Sequence, residues 1–410
     1  MASSSLLGRL GVSLSKTLTT TTPVQTVYLR LNNPLTHSSK LKCCLSTSST
    51  LSQQRSKILS HEPPLAATGT VMSKDESRDF MALFPDIVRE LTDRGRHSDI
   101  PDVNKWFAKV LQYNVPSGKK NRGLALVVAY KMLAQSPPDQ DSIQLAQILG
   151  WCVEILQAFL LVLDDVMDNA TTRRGRPCWY RHNHIGLAAV NDALLLEQAI
   201  YQLLRRHFAH LPYYVHLIHL FHDLTLKTSM GQSLDLSTAN DLSKFTMDRY
   251  EAIVKYKTSY YSFQLPIALA MYMAGMEDVE VHRQARTLLL EMGHFFQVQD
   301  DYLDCFGTPD VTGKIGTDIE DGKCSWLAVV ALQRATADQR KVMEECYGSK
   351  DPSHVSNIKN LYLELGLPST FSTYEEESYN LINTHIQQLS RGLNQDLFYR
   401  ILEKIYKRQS

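Results

Sequence analysis

The 410-residue sequence predicts an all-α fold, on three observations. From about residue 75 onward, apolar residues recur three and four apart, which places them on one face of a helix. No long run alternates apolar and polar residues as a half-buried strand would. The chain is 44% hydrophobic, enough to bury a large core. Together these predict one helical domain of about 335 residues, larger than a simple four-helix bundle. A segment of different character, residues 1–71, precedes it.

The elements follow in chain order. DFMALFPDIVRELTDR (79–94) carries the first apolar stripe. IQLAQILGWCVEILQAFLLVL (143–163) is the most apolar stretch. Its best candidate for a span, ILGWCVEILQAFLLVL (148–163), carries Glu154 and Gln157 in its middle and falls short of the roughly 20 apolar residues a span needs, which predicts a bundle core helix and no transmembrane segment. Helical periodicity continues in AAVNDALLLEQAIYQLLRRHF (188–208), YYVHLIHLFHDLTLKTSMGQ (213–232) and RYEAIVKYKTSYYSFQLPIALAMYMAG (249–275). It returns in ARTLLLEMGHFFQVQDDYLD (285–304), WLAVVALQRATADQRKVMEECY (326–347) and EEESYNLINTHIQQL (375–389). Pro and Gly break the pattern at 116–118, 137–138, 175–177 and 307–316.

Net charge is formally zero, and no basic stripe points to nucleic acid. The balance is uneven along the chain. Seven basic residues and one acid precede Met72, leaving 36 Lys and Arg against 42 Asp and Glu in the remainder. The first stretch is rich in Ser and Thr, and LLGRLGVSLSKTL has the makings of a basic amphipathic helix. This is the composition of an organelle transit peptide. The expectation is mitochondrial targeting over 1–71, ahead of a plastid address of similar composition. Met72, where this composition ends, would as a second start give a cytosolic form. The seven cysteines form no CxxC pair, so neither a zinc site nor a disulfide framework is indicated.

Two acidic clusters carry the chemistry: Asp164, Asp165 and Asp168, then Asp300, Asp301 and Asp304. Both read DDxxD and both end an apolar helical run. Residues i and i+4 share a helix face, so Asp164 pairs with Asp168 and Asp300 with Asp304. Like charges so placed repel, more so when partly buried, unless a cation sits between them. Carboxylate oxygens suit Mg²⁺, which keeps waters and is completed by substrate phosphates. A single DDxxD is commonly an exposed acidic turn; two copies, each followed by basic residues, predict a shared metal–diphosphate site. Arg173 and Arg174 follow the first cluster, Lys314 and Lys323 the second, and Lys257 lies in an otherwise apolar helix. PSGKKNRG (116–123) is a Gly-flanked basic loop. Arg and Lys bind phosphate well, and so many of them predict a second, metal-independent anion site.

GKKNRG, LQAFLLVLDDVMDNATTRRGRPCWYR, YKTSYYSFQLPIA, FQVQDDYLDCFGTPDVTGKIGTDIEDGKCSWL and the terminal KIYKR closely resemble the farnesyl diphosphate synthases, short-chain trans-isoprenyl diphosphate synthases of the polyprenyl synthetase family. The resemblance runs from about residue 75 to the C-terminus. It implies an isoprenoid synthase fold, a bundle of ten or more helices around a central cavity, usually a homodimer. It implies condensation of isopentenyl diphosphate with dimethylallyl and then geranyl diphosphate. Asp164, Asp168, Asp300 and Asp304 would hold three Mg²⁺, with Mn²⁺ able to substitute. Arg173, Lys257, Lys314 and Asp318 would complete the allylic site. Gly118, Lys119, Arg122, Gln157, Arg174 and Arg408 match the isopentenyl positions, and Thr258 and Gln297 lie near the developing carbocation. Lys257, Thr258 and Gln297 are the catalytic candidates.

One position departs from that pattern. The two residues that floor the product cavity are aromatic in common farnesyl synthases; here they are Phe159 and Leu160. A C10 or C20 product is the first alternative. A terpene synthase on the same scaffold would not need the isopentenyl residues, all of which are present. A catalytically silent subunit would usually have lost an aspartate.

Overall fold

The computed structural model describes residues 74–92, 99–308, 316–390 and 392–406. All fall in the second of the two units into which the chain divides, residues 67–410. The expected targeting segment and Met72 lie outside the described residues.

The first apolar stripe is two helices, α1 (Lys74–Ala82) and α2 (Phe84–Leu91), parted at Leu83 because Pro85 enters the first turn of α2. The Trp151 ring stacks on Phe80 at 4.6 Å, and its indole donates to the Phe80 carbonyl at 3.0 Å. A fully buried aromatic pair of this kind contributes about 1 kcal/mol beyond its area, and it pins α1 to the core.

Next come α3 (Pro101–Asn114), α4 (Asn121–Leu133) and the 28-residue α5 (Gln140–Met167). Asp139 caps α5 by accepting from the Ser142 amide at 2.8 Å. Among the described residues α5 is the helix long and apolar enough to cross a membrane, yet most of that stretch is buried within the protein. A two-residue ladder, β1 (Thr172–Arg173) and β2 (Arg176–Pro177), follows. It is absent from the sequence expectation because two residues are too few to show alternation. Its turn, Arg174 and Gly175, has φ of +54° and +72°, the handedness a two-residue hairpin needs. A 3₁₀ turn (Trp179–His184), α6 (Ala188–Phe208) and α7 (Tyr214–Leu236) complete this half.

The next helix is continuous in path but changes winding: α8 (Met247–Ile253), a π-helical segment (Val254–Gln264) and α9 (Leu265–Met273). A side chain at Gly231 of α7 would collide with the backbone of Lys257, so glycine is what lets α7 approach the π segment. Then come α10 (Val279–Phe306), α11 (Trp326–Arg334), α12 (Ala337–Cys346), α13 (Pro352–Glu364), α14 (Leu367–Gln387) and α15 (Gln395–Ile405). The stretch 326–347, periodic throughout, is two helices because Thr336 and Gln339 form a capping box that starts α12 afresh.

In packing, α5 lies between α4 and α6, the π segment between α7 and α10, and α9 against α4. One hydrophobic core fills this assembly. A second, around Trp326, Tyr362 and Phe371, holds α11 to α14 against α8 and the end of α10. The last turns of α5 and α10 thereby line one opening.

Candidate active site

Both aspartate clusters occupy the C-terminal end of a 28-residue helix. The helix dipole is negative there as well, so each cluster adds carboxylates where the backbone already disfavours them. They line one cavity of about 650 Å³, which holds Asp164, Asp168, Asp300, Asp301 and Asp304. Within each cluster the aspartates divide in role. Asp165, buried, accepts from Arg173 at 2.7 Å (Nε) and 2.6 Å (Nη2); Nη2 also lies 3.4 Å from Asp164. Asp301, also buried, accepts from the Gln297 amide at 2.9 Å and the Trp326 backbone N–H at 2.8 Å. Burial pushes the Asp301 carboxyl up to about 7. Asp165 does not line this cavity, whereas both i, i+4 pairs do, as helical spacing predicts, with Asp301 beside them.

Two lysines from separate elements join Arg173 and Arg174 on the positive side of the cavity. Lys257, on the π segment, stands 3.2 Å from Asp164 and 2.6 Å from Asp235. Lys323, ahead of α11, is 2.8 Å from Asp168 and 3.2 Å from the same Asp235 oxygen. Burial lowers the pKa of both ammonium groups, but the carboxylates outweigh it and hold both above the usual lysine value. Burial likewise raises Asp235, and the two lysines outweigh it and hold it below the usual carboxylate range. Burial and the neighbouring Asp164 raise Asp168. Asp235 was not among the sequence-predicted residues. Its signal was a single carboxylate in the apolar end of GQSLDL.

The basic loop stands at a second cavity of about 370 Å³, lined by Lys119, Arg122, Phe263, Phe296 and Lys404; Asp300 lines both cavities. Arg122 donates to Ser262 Oγ at 2.7 and 3.0 Å and lies over the Tyr261 ring. Gly118 has φ of +88°, and a side chain there would strike the Arg174 guanidinium, which donates to the Ser117 carbonyl. The hairpin turn thus sends Arg173 to the first cluster and Arg174 to the basic loop. Beneath the loop, Glu154 accepts from Lys120 at 3.2 Å and from the Gly123 amide at 2.8 Å, both side chains almost wholly buried.

Thr258, Gln297, Arg173, Arg174 and Asp318 line the larger cavity, and the Asp318 amide donates to Asp304 at 3.0 Å. Gln157 is half-buried on α5 and lines neither cavity. Phe159 is buried and Leu160 half-buried in the core below Asp164, and neither lines these two cavities. Lys314 and Arg408 lie outside the described residues.

The donor set suits a hard divalent cation. Among the described residues, Asp164 Oδ1 is buried without a hydrogen bond and has Lys257 as its ion-pair contact. Among the described residues no three metal-ligating side chains gather closely enough to hold an ion alone. Mg²⁺, usually held by one or two carboxylates and completed by waters and phosphate, suits the Asp164 oxygen left without a hydrogen bond.

A family model described as polyprenyl synthetase matches residues 104–365. The chain is 54% identical over 343 residues to a farnesyl pyrophosphate synthase of Nezara viridula, covering 82% of this chain and 84% of that one. It is 52% identical over 340 residues to the farnesyl pyrophosphate synthase of Homo sapiens, covering 82% and 81%. A solved T. brucei farnesyl diphosphate synthase, complexed with risedronate, superposes with TM-score 0.75 at 33% identity, over 81% of this chain and 99% of that one.

Proposed function

The chain belongs to the polyprenyl synthetase family, and from that premise we infer that it condenses isopentenyl diphosphate head-to-tail with dimethylallyl and then geranyl diphosphate, giving (E,E)-farnesyl diphosphate and diphosphate. The observation that carries this is the meeting of both aspartate pairs with Lys257, Lys323 and Arg173 in one cavity, beside a basic cavity that shares Asp300.

The allylic C–O bond breaks and its electron pair leaves with the diphosphate. The isopentenyl double bond attacks the allylic carbon, so no nucleophilic side chain is required. The released diphosphate takes the final proton. Lys257, Lys323 and Arg173 are fixed cations at the mouth where that negative charge develops, and being pre-placed they need no reorganisation as it appears. Gln297 gives its N–H to Asp301, which leaves its amide oxygen for the cationic carbon. The apolar interior around α5 and α10 keeps water from the cation. Asp164, Asp168, Asp300 and Asp304 would hold Mg²⁺, which when bound supplies Lewis-acid neutralisation of the leaving diphosphate. Lys119, Arg122 and Arg174 suit the diphosphate of the second substrate, separate from the metal.

Radiolabelled isopentenyl diphosphate, supplied with dimethylallyl or geranyl diphosphate and Mg²⁺, should be incorporated into a C15 product identified by mass. No incorporation would remove the condensation and leave a terpene-synthase type of ionisation. A homodimer is part of the same reading. Its support is an exposed apolar row at the start of α6 (Leu187, Val190, Leu194) and another on α7 (Leu226, Met230); sedimentation at micromolar concentration tests it. The basic 1–71 segment supports mitochondrial import. N-terminal sequencing of the mature protein distinguishes cleavage from a start at Met72.

A further inference from the structure

Lys257 and Lys323 face a conflict. As phosphate-binding cations they belong at the mouth of the cavity. As ammonium groups beside Asp164 and Asp168 they would neutralise the carboxylates that a metal needs. Asp235 stands where that conflict is resolved. Resting on the metal–diphosphate reading above, we propose that Asp235 is a positioning residue: its carboxylate shares both ammonium groups with Asp164 and Asp168, so that neither aspartate is fully neutralised and both stay available for metal, while the lysines are held at the diphosphate mouth.

The geometry is specific. One oxygen, Asp235 Oδ2, receives both lysines, Lys257 at 2.6 Å and Lys323 at 3.2 Å. For Lys257 this bond is shorter than its 3.2 Å approach to Asp164, whereas Lys323 lies 2.8 Å from Asp168 and 3.2 Å from Asp235, so Asp235 shares each ammonium with one metal-facing aspartate. Two like charges held against one oxygen repel each other, and the buried carboxylate between them offsets that repulsion. An ammonium has three donors, so each lysine can keep its bond to Asp235 and turn another N–H toward phosphate. The charge count makes the same point. With Asp235 the group holds two ammoniums and three carboxylates. Without it, two ammoniums face two carboxylates, and Asp164 and Asp168 are fully paired. Asp235 is 4% exposed, so water is a poor substitute for its charge.

The test is calorimetric titration of the full-length protein with inorganic diphosphate over a range of Mg²⁺ concentrations. Asp235→Asn keeps the shape and removes the charge. The Mg²⁺ needed for half-maximal diphosphate binding should rise about tenfold, the scale of outer-sphere substitutions at metal sites. KM for isopentenyl diphosphate, read in parallel, should change less than about threefold, because its cavity is lined by other residues. Adding Lys323→Met to Asp235→Asn restores the excess of one carboxylate and should bring the affinity for Mg²⁺ alone, titrated without diphosphate, back toward wild type. A purely structural role for Asp235 gives no such recovery. An unchanged Mg²⁺ requirement in Asp235→Asn overturns the proposal, as does a double variant that binds Mg²⁺ alone more weakly than the single. If Asp235→Asn does not fold, Asp235→Glu serves: charge retained should mean affinity retained, and a tenfold loss in the folded protein overturns it. The two readings separate cleanly. Wild type that binds Mg²⁺ and diphosphate but incorporates no isopentenyl unit removes the condensation alone; an active wild type with an indifferent Asp235→Asn removes this proposal alone.

Discussion

Replacing Lys120 by methionine should destabilise the protein by about 3 kcal/mol, the lower end of what breaking a buried ion pair costs. The side chains of Lys120 and Glu154 are 3% and 1% exposed, with Nζ and Oε2 3.2 Å apart. Among the described residues, removing the ammonium leaves the Glu154 charge with a single donor, the Gly123 amide at 2.8 Å. That surviving bond is why the lower end applies. The reverse change, Glu154→Gln, should cost less, about 2 kcal/mol, because it keeps an acceptor for Gly123 and strands an amine rather than a carboxylate. Burial already lowers the Lys120 pKa, so the stranded amine can shed its proton. The double variant removes both charges and should lose about 1 kcal/mol or less, since apolar or neutral replacements of a buried pair are close to neutral. The backbone at Lys120, with φ of +52°, is shared by wild type and Lys120→Met, so its strain cancels. Urea denaturation of the four proteins measures the cycle, and the coupling should be at least about 2 kcal/mol. In thermal terms Lys120→Met should lower Tm by about 6 °C, taking about 2 °C per kcal/mol for a domain of this size. Additive single effects, or a Lys120→Met cost below about 1 kcal/mol, would refute the account. The pair underlies Lys119 and Arg122, so KM for isopentenyl diphosphate should rise in the single variants and recover in the double.

Other consequences are as direct. Leu160→Phe, filling a half-buried site one turn below Asp164, should narrow the product range, read by mass spectrometry; an unchanged distribution means this residue does not set length. Asp165→Asn should weaken the hold on Arg173, which donates to it at 2.7 and 2.6 Å, and lower kcat with geranyl diphosphate about tenfold while KM for isopentenyl diphosphate is kept. Burial raises the Glu90 carboxyl, but hydrogen bonds from His207 and Arg206 outweigh it and hold its pKa below the ordinary 4.5. A depressed folded pKa means stabilisation that is present above about pH 4.5 and lost as pH falls through the folded value. Glu90→Gln should therefore have a lower urea midpoint than wild type at pH 7, and the two should converge in acid; a constant gap would sink the linkage.

The sequence by itself determined what depends on short spacing. Helical class follows from apolar recurrence every three or four residues, and the pairing of Asp164 with Asp168 and of Asp300 with Asp304 from the helix repeat. The roles of Asp165 and Asp301 were less legible, because whether a neighbouring aspartate turns inward depends on what packs there: Arg173 in one case, Gln297 and the start of α11 in the other. The division of Arg173 from Arg174 needed a turn with two positive φ angles, which the adjacent Gly175 only hints at. The π winding around Lys257 arises where α7 presses in at Gly231, a contact between segments remote in sequence. Asp235 is the extreme case. Its lysines lie 22 and 88 residues away, and no local pattern announces such partners. A carboxylate's chemistry is local, but its charge environment is set by which helices pack around it, so the tertiary structure alone decided which cations it holds.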